Sequence, residues 1–301
     1  MNFIVTGGCG FIGSHLVEAL ALLGQKVIVV DDLRNGNWMV KGDNNIHYIT
    51  EDVCHFWPTG MKIDAIIHLA NTPRIRYALK HPAEAISNNI NPTIQVAEWA
   101  RYLKCPLFFA TSSSTIYSDE MANPYTFGKS VSEKVLTMYK ELYKINYYLM
   151  YFYNVYGPRE ADYGQHSTVI RCFKNAVKKD EPLRVFGSGS KTRDFTYIDD
   201  VIDGIIKLLK VRNKPKHVHL GSGNPYSILD VAEAFNHPIV HEFDRPGEAQ
   251  DTLCKTPFIK SNADVISYIK HWKQTFDEAK VYFKTKQQIE EIDNRHAESS
   301  S

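Results

Sequence analysis

Short apolar runs alternate with helical stripes along the first half of this chain. Asn2-Phe3-Ile4-Val5 reads as a buried strand. Phe11, Ile12, Leu16, Val17, Leu20 and Leu23 recur at helical spacing and predict a helix over 11–23. Val27-Ile28-Val29-Val30 is a second strand, and the Asn-, Gly- and Asp-rich stretch from Asp32 to Asn45 reads as loop. A short strand is expected over Ile46–Ile49 and a buried one over Ala65–Ala70. Ala83 to Leu103 is helical, with Pro82 just ahead of it. Leu107–Ala110 is the next strand, and Pro124 opens a helix that runs to Lys144. Strands and helices in alternation predict a parallel sheet with helices on both faces, a doubly wound α/β fold. Ligands of such sheets lie at the C-terminal ends of the strands.

Composition narrows the picture mainly by exclusion. The chain has 301 residues, 44% of them hydrophobic, enough for a large α/β unit with a smaller lobe. With 35 basic and 34 acidic residues the net charge is +1, which leaves no electrostatic footprint for nucleic acid or a membrane surface. The five cysteines are scattered and form no CxxC pair, as expected of a reduced, cytoplasmic protein. No apolar run reaches membrane-spanning length. The N-terminus enters a core strand directly, so no cleavable signal peptide is expected. There is no internal repeat. Residues Gln287 to Ser301 are polar and charged and are expected to form a disordered tail.

The chemistry begins between the first two strands, at Thr6-Gly7-Gly8-Cys9-Gly10-Phe11-Ile12-Gly13. A strand, a glycine turn, a helix and a second strand ending in Asp31 make a dinucleotide-binding βαβ unit. Gly7 and Gly8 are read as the tight turn, Gly10 as the point where backbone approaches a pyrophosphate, and Gly13 as close helix–strand packing. The pyrophosphate would sit on the free N–H groups of the helix N-terminus. A carboxylate at Asp31 can accept ribose hydroxyls and repels a 2′-phosphate, so NAD is favoured over NADP. Arg34 would argue for a 2′-phosphate, but is read as a solvated loop residue while Asp31 is present. Asp52 is either a contact for the adenine amino group or a plain strand-end acid.

Further along, Thr111-Ser112-Ser113-Ser114-Thr115-Ile116-Tyr117 follows a strand and is therefore delivered to the ligand end of the sheet. Tyr125 and Lys129 stand four apart and share a helix face. A buried ammonium beside a tyrosine favours the phenolate and lowers its pKa from the reference of about 10, which makes Tyr125 a plausible base. His68 reads as a packed histidine at a strand end, with no second ligand at metal-binding spacing. His217 and His219 share a strand face without a third ligand, so no metal site is expected.

These motifs, in this order, resemble the extended short-chain dehydrogenase/reductase family, in its nucleotide-sugar epimerase/dehydratase branch. The resemblance runs from residue 1 to about residue 250. It rests on TGGCGFIGSHL at Thr6–Leu16, VDDLRNG at Val30–Gly36, HLA at His68–Ala70, TSSSTIY at Thr111–Tyr117 and YTFGK at Tyr125–Lys129. NVYGPR at Asn154–Arg159, TRDFTYIDDV at Thr192–Val201 and RPGE at Arg245–Glu248 follow. The resemblance implies a Rossmann-type NAD-binding domain over 1–155, with returning segments from about 190–220. It implies a smaller C-terminal α/β lobe for the nucleotide sugar over 156–286. Catalytic roles are implied for Ser113, for Tyr125 in proton transfer, and for Lys129, which binds the nicotinamide ribose and tunes the tyrosine. The implied cofactor site comprises Gly7, Gly10, Phe11, Ile12, Gly13, Asp31, Asp32, Asn35, Asp52, Val53, Leu69, Ala70 and Asn89, with Tyr125 and Lys129. Ser113, Asn154, Arg193, Arg245 and Glu248 are the implied substrate contacts, the two arginines pairing with the diphosphate.

Departures from the family pattern select among its reactions. The 4,6-dehydratases carry an acid pair where this chain has Ser114 and Thr115, decarboxylases a glutamate at Thr115, and 3,5-epimerases a cysteine there. The implied reaction is therefore 4-epimerisation of a UDP-hexose or UDP-N-acetylhexosamine through a 4-keto intermediate. The alternatives are a nucleotide-sugar reductase or dehydrogenase, a UDP-uronate 4-epimerase, to which Arg76-Tyr77-Ala78-Leu79 is similar, and a non-catalytic NAD- or RNA-binding relative. The segment between Tyr117 and Tyr125 is shorter than usual in the family. Members pair across dimers through helices matching 83–103 and 125–144, and a homodimer is expected. Val131, Val135, Met138 and Leu142 form an apolar stripe on the second helix, suited to a partner or to its own sheet.

Overall fold

A computed structural model describes residues 1–280, apart from Asn37, Arg74, residues 162–166 and residues 245–248. The chain opens with β1 (Asn2–Thr6), α1 (Phe11–Leu22), β2 (Lys26–Asp31), β3 (Ile46–Thr50), β4 (Ala65–His68), α2 (Ile75–Lys80) and α3 (Pro82–Leu103). There follow β5 (Leu107–Ser112), α4 (Ser114–Tyr117), α5 (Pro124–Tyr143), β6 (Tyr147–Phe152), β7 (Asn154–Tyr156) and α6 (Val169–Lys179). The remaining elements are β8 (Leu183–Phe186), β9 (Thr192–Tyr197), α7 (Ile198–Lys210), β10 (His217–Leu220), β11 (Pro225–Ser227), α8 (Ile228–Glu233) and β12 (Ile239–Glu242). A last helix covers 265–280.

Seven strands form one sheet in the order β10-β6-β5-β4-β1-β2-β3. Every pairing within it is parallel. This is the doubly wound Rossmann-like α/β fold, with a crevice where the winding reverses between β1 and β4. Strand alternation divides the core in two. On one face Phe3, Val5, Val27 and Val29 meet Leu16 and Leu20 of α1 and Val201 and Ile205 of α7. On the other face Ile4, Ile66, Phe109 and Leu149 meet Val96 and Trp99 of α3 and Leu136 of α5.

The helix ends follow the chemistry of their residues. Pro82 and Pro124 occupy first-turn positions, where a missing N–H costs nothing. The side chain of Asn123 caps α5 by accepting the Thr126 N–H at 2.9 Å. Pro92 lies inside α3. The stripe on α5 is not what buries it. Its core side is Ser132, Leu136 and Tyr139, whereas Met138 and Leu142 are 47% and 64% exposed.

The small lobe carries a three-stranded sheet, β11-β9-β7, and the pair β12-β8. Ile170 and Phe173 of α6, Val231 and Phe235, and Val265 and Ile269 of the last helix fill its core. The chain re-enters the large unit more than once. α7 packs beside α1, β10 forms the sheet edge, and Cys254 and Ile259 complete the two large apolar clusters. Asp194 on β9 fastens these passages together. Its side chain, 0% exposed, accepts the N–H groups of Ser222, Gly223 and Cys254 at 2.8–2.9 Å and the Ser222 hydroxyl at 2.7 Å.

Candidate active site

The C-terminal strand ends open into a cavity of about 950 Å³ that reaches from the glycine loop to the small lobe. That is the upper end of the size range for small-molecule sites. Its floor is the loop after β1. Gly7 has φ +68°, and a Cβ there would stand 2.6 Å from the backbone nitrogen of Ala70. A Cβ on Gly13 would stand 2.0 Å from the carbonyl oxygen of Gly7. No larger residue fits either place. Gly8 was expected to serve the turn but has another reason. Its φ is not positive, and a Cβ would strike Val29 at 2.6 Å, so packing under the sheet excludes a side chain. Gly10 is the N-cap of α1 and brings no capping side chain, which leaves the first turn of the helix to a ligand.

Asp31, at the end of β2, lines the cavity and also holds the glycine loop. Its two oxygens accept the Cys9 and Leu33 N–H groups at 2.8 and 2.9 Å. Burial pushes its carboxyl upward, and those two N–H bonds oppose the push. Asp32, Asn35, Asp52, Val53, Leu69 and Ala70 line the same end, with Phe11 and Ile12 of α1. Arg34 is the solvated loop residue expected, with its side chain half exposed, and it also has ion-pair partners. It lies on the cavity wall and bridges Asp32 and Asp52, each at 2.6 Å. Its charge is thus shared between two carboxylates, one the candidate adenine contact.

Asn89 does not reach the cavity. It is buried where α3 meets α5, and its amide donates to the Ala85 and Thr72 carbonyls at 2.6 and 3.3 Å. The cavity face of α3 is Glu84, Ser87, Asn88 and Asn91. One residue along a helix turns the side chain by about 100°, which carries position 89 off that face.

Ser113, Tyr125 and Lys129 all line the cavity beyond the glycine loop. Ser113 follows β5, and its N–H donates to the Phe152 carbonyl at 3.0 Å, which fixes it over the end of β6. Tyr125 is in the first turn of α5. Lys129, one turn on, is 2% exposed; its ammonium donates to the Ala110 carbonyl at 3.0 Å and lies 5.3 Å from the Phe109 ring centre. Burial pushes Lys129 down to about 7, and Glu133 works against that push. His68 behaves as a packed side chain. Its Nδ1 is 2.7 Å from the Thr6 hydroxyl, it stacks on Phe109, and burial, then Lys129, pushes it down to about 3. The His217–His219 face is covered by Tyr151, stacked 5.9 and 5.0 Å from the two rings.

At the far end stand Asn154 and Arg193. The Asn154 amide lies 3.5 Å from the Asp194 carbonyl, and Arg193 donates to the Thr192 and Gln250 carbonyls at 2.8 and 3.1 Å. Arg245 and Glu248, also expected there, lie outside the described residues, as does the tail 287–301. Sequence reading missed Arg184, Phe186 and Lys191, which line this end from β8 and the loop before β9. The alternation of Leu183-Arg184-Val185-Phe186, with apolar Leu183 and Val185 buried, was the available signal.

Fold and site together define a dinucleotide-binding class of protein, with Ser113, Tyr125 and Lys129 lining the crevice at the strand ends. The chain belongs to the NAD dependent epimerase/dehydratase family, whose profile matches residues 3–221. A UDP-glucose 4-epimerase of Mycolicibacterium smegmatis is 30% identical over 271 residues, 82% of this chain and 86% of that one. A UDP-glucuronic acid decarboxylase of Arabidopsis thaliana is 29% identical over 89% of this chain and 65% of its own. The crystal structure of a UDP-glucose 4-epimerase from Thermotoga maritima with UDP-glucose shares the fold, with TM-score 0.81 and 23% identity. It covers 93% of this chain and 99% of its own. NAD is the family's cofactor, and the side-chain-free cradle of Gly7, Gly10 and Gly13 fits a dinucleotide pyrophosphate.

Asp31 yields a direct test of cofactor choice. In Asp31→Ala, NAD affinity should fall about 10–100-fold, the value of a hydrogen bond to a charged group, and the preference over NADP should shrink. Fluorescence titration with both dinucleotides measures this; unchanged NAD affinity would remove Asp31 from the ribose site.

Proposed function

We propose that this protein interconverts the C4 epimers of a nucleotide-diphosphate sugar, a UDP-hexose or UDP-N-acetylhexosamine, with NAD retained between turnovers. The observation that carries this reading is the make-up of the 112–118 segment. Ser112, Ser113, Ser114 and Ser118 line the cavity, and the segment brings no carboxylate to it. Thr115 points elsewhere, its hydroxyl 2.9 Å from the Ser112 carbonyl and 3.0 Å from Glu133. Elimination of water or loss of a carboxylate calls for an acid–base group beyond the tyrosine. Epimerisation at C4 needs only a proton-transfer group, a means to hold the sugar, and a hydride carrier.

Bound NAD supplies the hydride acceptor and donor. Tyr125 takes the proton from the sugar 4-hydroxyl, directly or through Ser113, and returns it when the 4-keto sugar is reduced on its other face. Lys129 stabilises the phenolate. Asn154 and Arg193 support the reading of the far end as a diphosphate site, where Lys191 adds positive charge. Arg76 lines the cavity from α2 and favours a uronate as the second reading.

The test is incubation of the purified protein, with no added cofactor, with UDP-glucose, UDP-galactose, their N-acetyl forms and UDP-glucuronate. Proton NMR should show one pair approaching epimer equilibrium. Net turnover of added NAD or NADH with no epimer formed would instead make it a dehydrogenase or reductase.

We further read the protein as a cytoplasmic homodimer. Its five cysteines form no disulfide with one another, and no helix among the described residues is long and apolar enough to cross a membrane. Tyr102 on α3 and Met138, Leu142 and Tyr143 on α5 expose apolar surface on neighbouring helices. Light scattering should give twice the chain mass, and Leu142→Glu with Met138→Glu should halve it. A monomeric wild type would end this part of the reading.

A further inference from the structure

Behind the cavity wall several hydroxyl groups converge on one carboxylate that the reaction as written leaves unused. Glu133 stands one turn after Lys129 on α5, so the two share a helix face. Thr111, at the end of β5, reaches its Oε1 at 2.5 Å, and Thr115, on α4, reaches the same oxygen at 3.0 Å. Tyr151, on β6, donates to Oε2 at 3.2 Å and is itself 3.2 Å from His217 Nδ1 on β10. Two central strands and a short helix thus fix an anion beneath the Tyr125–Lys129 pair.

The groups that face Lys129 are few among the described residues. Tyr125 and Glu133 flank it on α5. Buried His68 on β4 is neutral, and Tyr151 on β6 is held high by burial first and Glu133 second. β5 contributes the Ala110 carbonyl and the Phe109 ring. Glu133 is the anion of this set, and its field favours the ammonium that burial disfavours.

We propose that Glu133 is a positioning residue that keeps Lys129 in its ammonium form and, through it, keeps Tyr125 ready to exchange a proton with the sugar hydroxyl. This rests on the reading of Tyr125 as the proton-transfer group. The sign follows from the charges. Without the carboxylate, Lys129 gives up its proton at lower pH, and a neutral amine no longer stabilises a phenolate. Tyr125 then holds its proton to higher pH, and the acidic limb of the kcat–pH profile moves to the alkaline side.

The experiment compares kcat–pH profiles of the wild type and Glu133→Gln with a confirmed sugar pair. A shift of about one pH unit is expected, which at pH 7 lowers kcat about tenfold. Raising the pH should restore most of the loss, and KM should change less than about twofold, the mark of a group that does not touch substrate. Glu133→Asp, which retains the charge, should keep its limb close to that of the wild type. If Glu133→Gln does not fold, Glu133→Met replaces it, with a shift in the same direction as the charge is again removed. An unmoved limb, or a loss of kcat uniform across pH, overturns the proposal. A Tyr125→Phe variant with full activity would instead overturn the reading beneath it.

Discussion

Replacing Tyr125 by phenylalanine should lower kcat about 10²–10⁴-fold, the usual contribution of a positioned acid–base group. The ring stays, so the packing at the start of α5 stays with it, and only the hydroxyl is lost. KM for the nucleotide sugar should change little, because the proposed diphosphate end around Arg193 and Lys191 lies on other elements. The variant should still retain NAD, whose cradle is the Gly7–Gly13 loop after β1. Steady-state kinetics over a range of pH, with NAD content measured on the same sample, separates these effects. Loss of NAD together with activity would mean that the hydroxyl holds the cofactor rather than moving a proton.

Asp194→Ala should destabilise the fold by about 4 kcal/mol or more. The substitution strands the N–H groups of Ser222, Gly223 and Cys254, each of which now has a carboxylate oxygen within 2.9 Å. A buried donor left without a partner costs about 1–3 kcal/mol, which applies in full to Cys254 and at the low end to the part-buried Ser222 and Gly223. For a chain of this size that is a fall in Tm of roughly 10 °C. Calorimetry on the cofactor-loaded protein measures it. A change below about 2 °C would show that water or a shifted backbone replaces the carboxylate.

The large sheet was legible because its strands are short apolar runs and its helices carry a clear period, as in Phe11–Leu22 and Pro82–Leu103. Observed ends differ from expected ones by a residue or two, where caps such as Asn123 decide. The small lobe was not legible. Its strands are three to six residues long and pair in both directions, and the one visible alternation, Leu183 to Phe186, is too short to announce a strand by itself. Within the site, the glycine loop, Asp31, Tyr125 and Lys129 reach one cavity as their spacing implied, and Ser113 joins them as the family resemblance implied. Asn89 shows the limit of motif position alone, since its neighbours Asn88 and Asn91 take the cavity face instead. Arg34 shows another limit: its two carboxylate partners come from different strand ends, and local sequence does not bring Asp52 to it. Glu133 was within reach, because 125, 129 and 133 lie on a single helix stripe.

The repeated return of the chain to the large sheet limits how sugar preference can change. The chain leaves after Phe152, comes back with α7 and β10, leaves again, and returns with Cys254 and Ile259 beneath the sheet. A chimera joined at residue 155 would import a foreign α7 and a foreign edge strand along with its new sugar site. Each would have to match the host's α1 and β6. Exchange of whole lobes between relatives is therefore a poor route to new specificity. Substitutions along the cavity wall, at positions such as Arg76, Asn88 and Phe186, leave those seams intact.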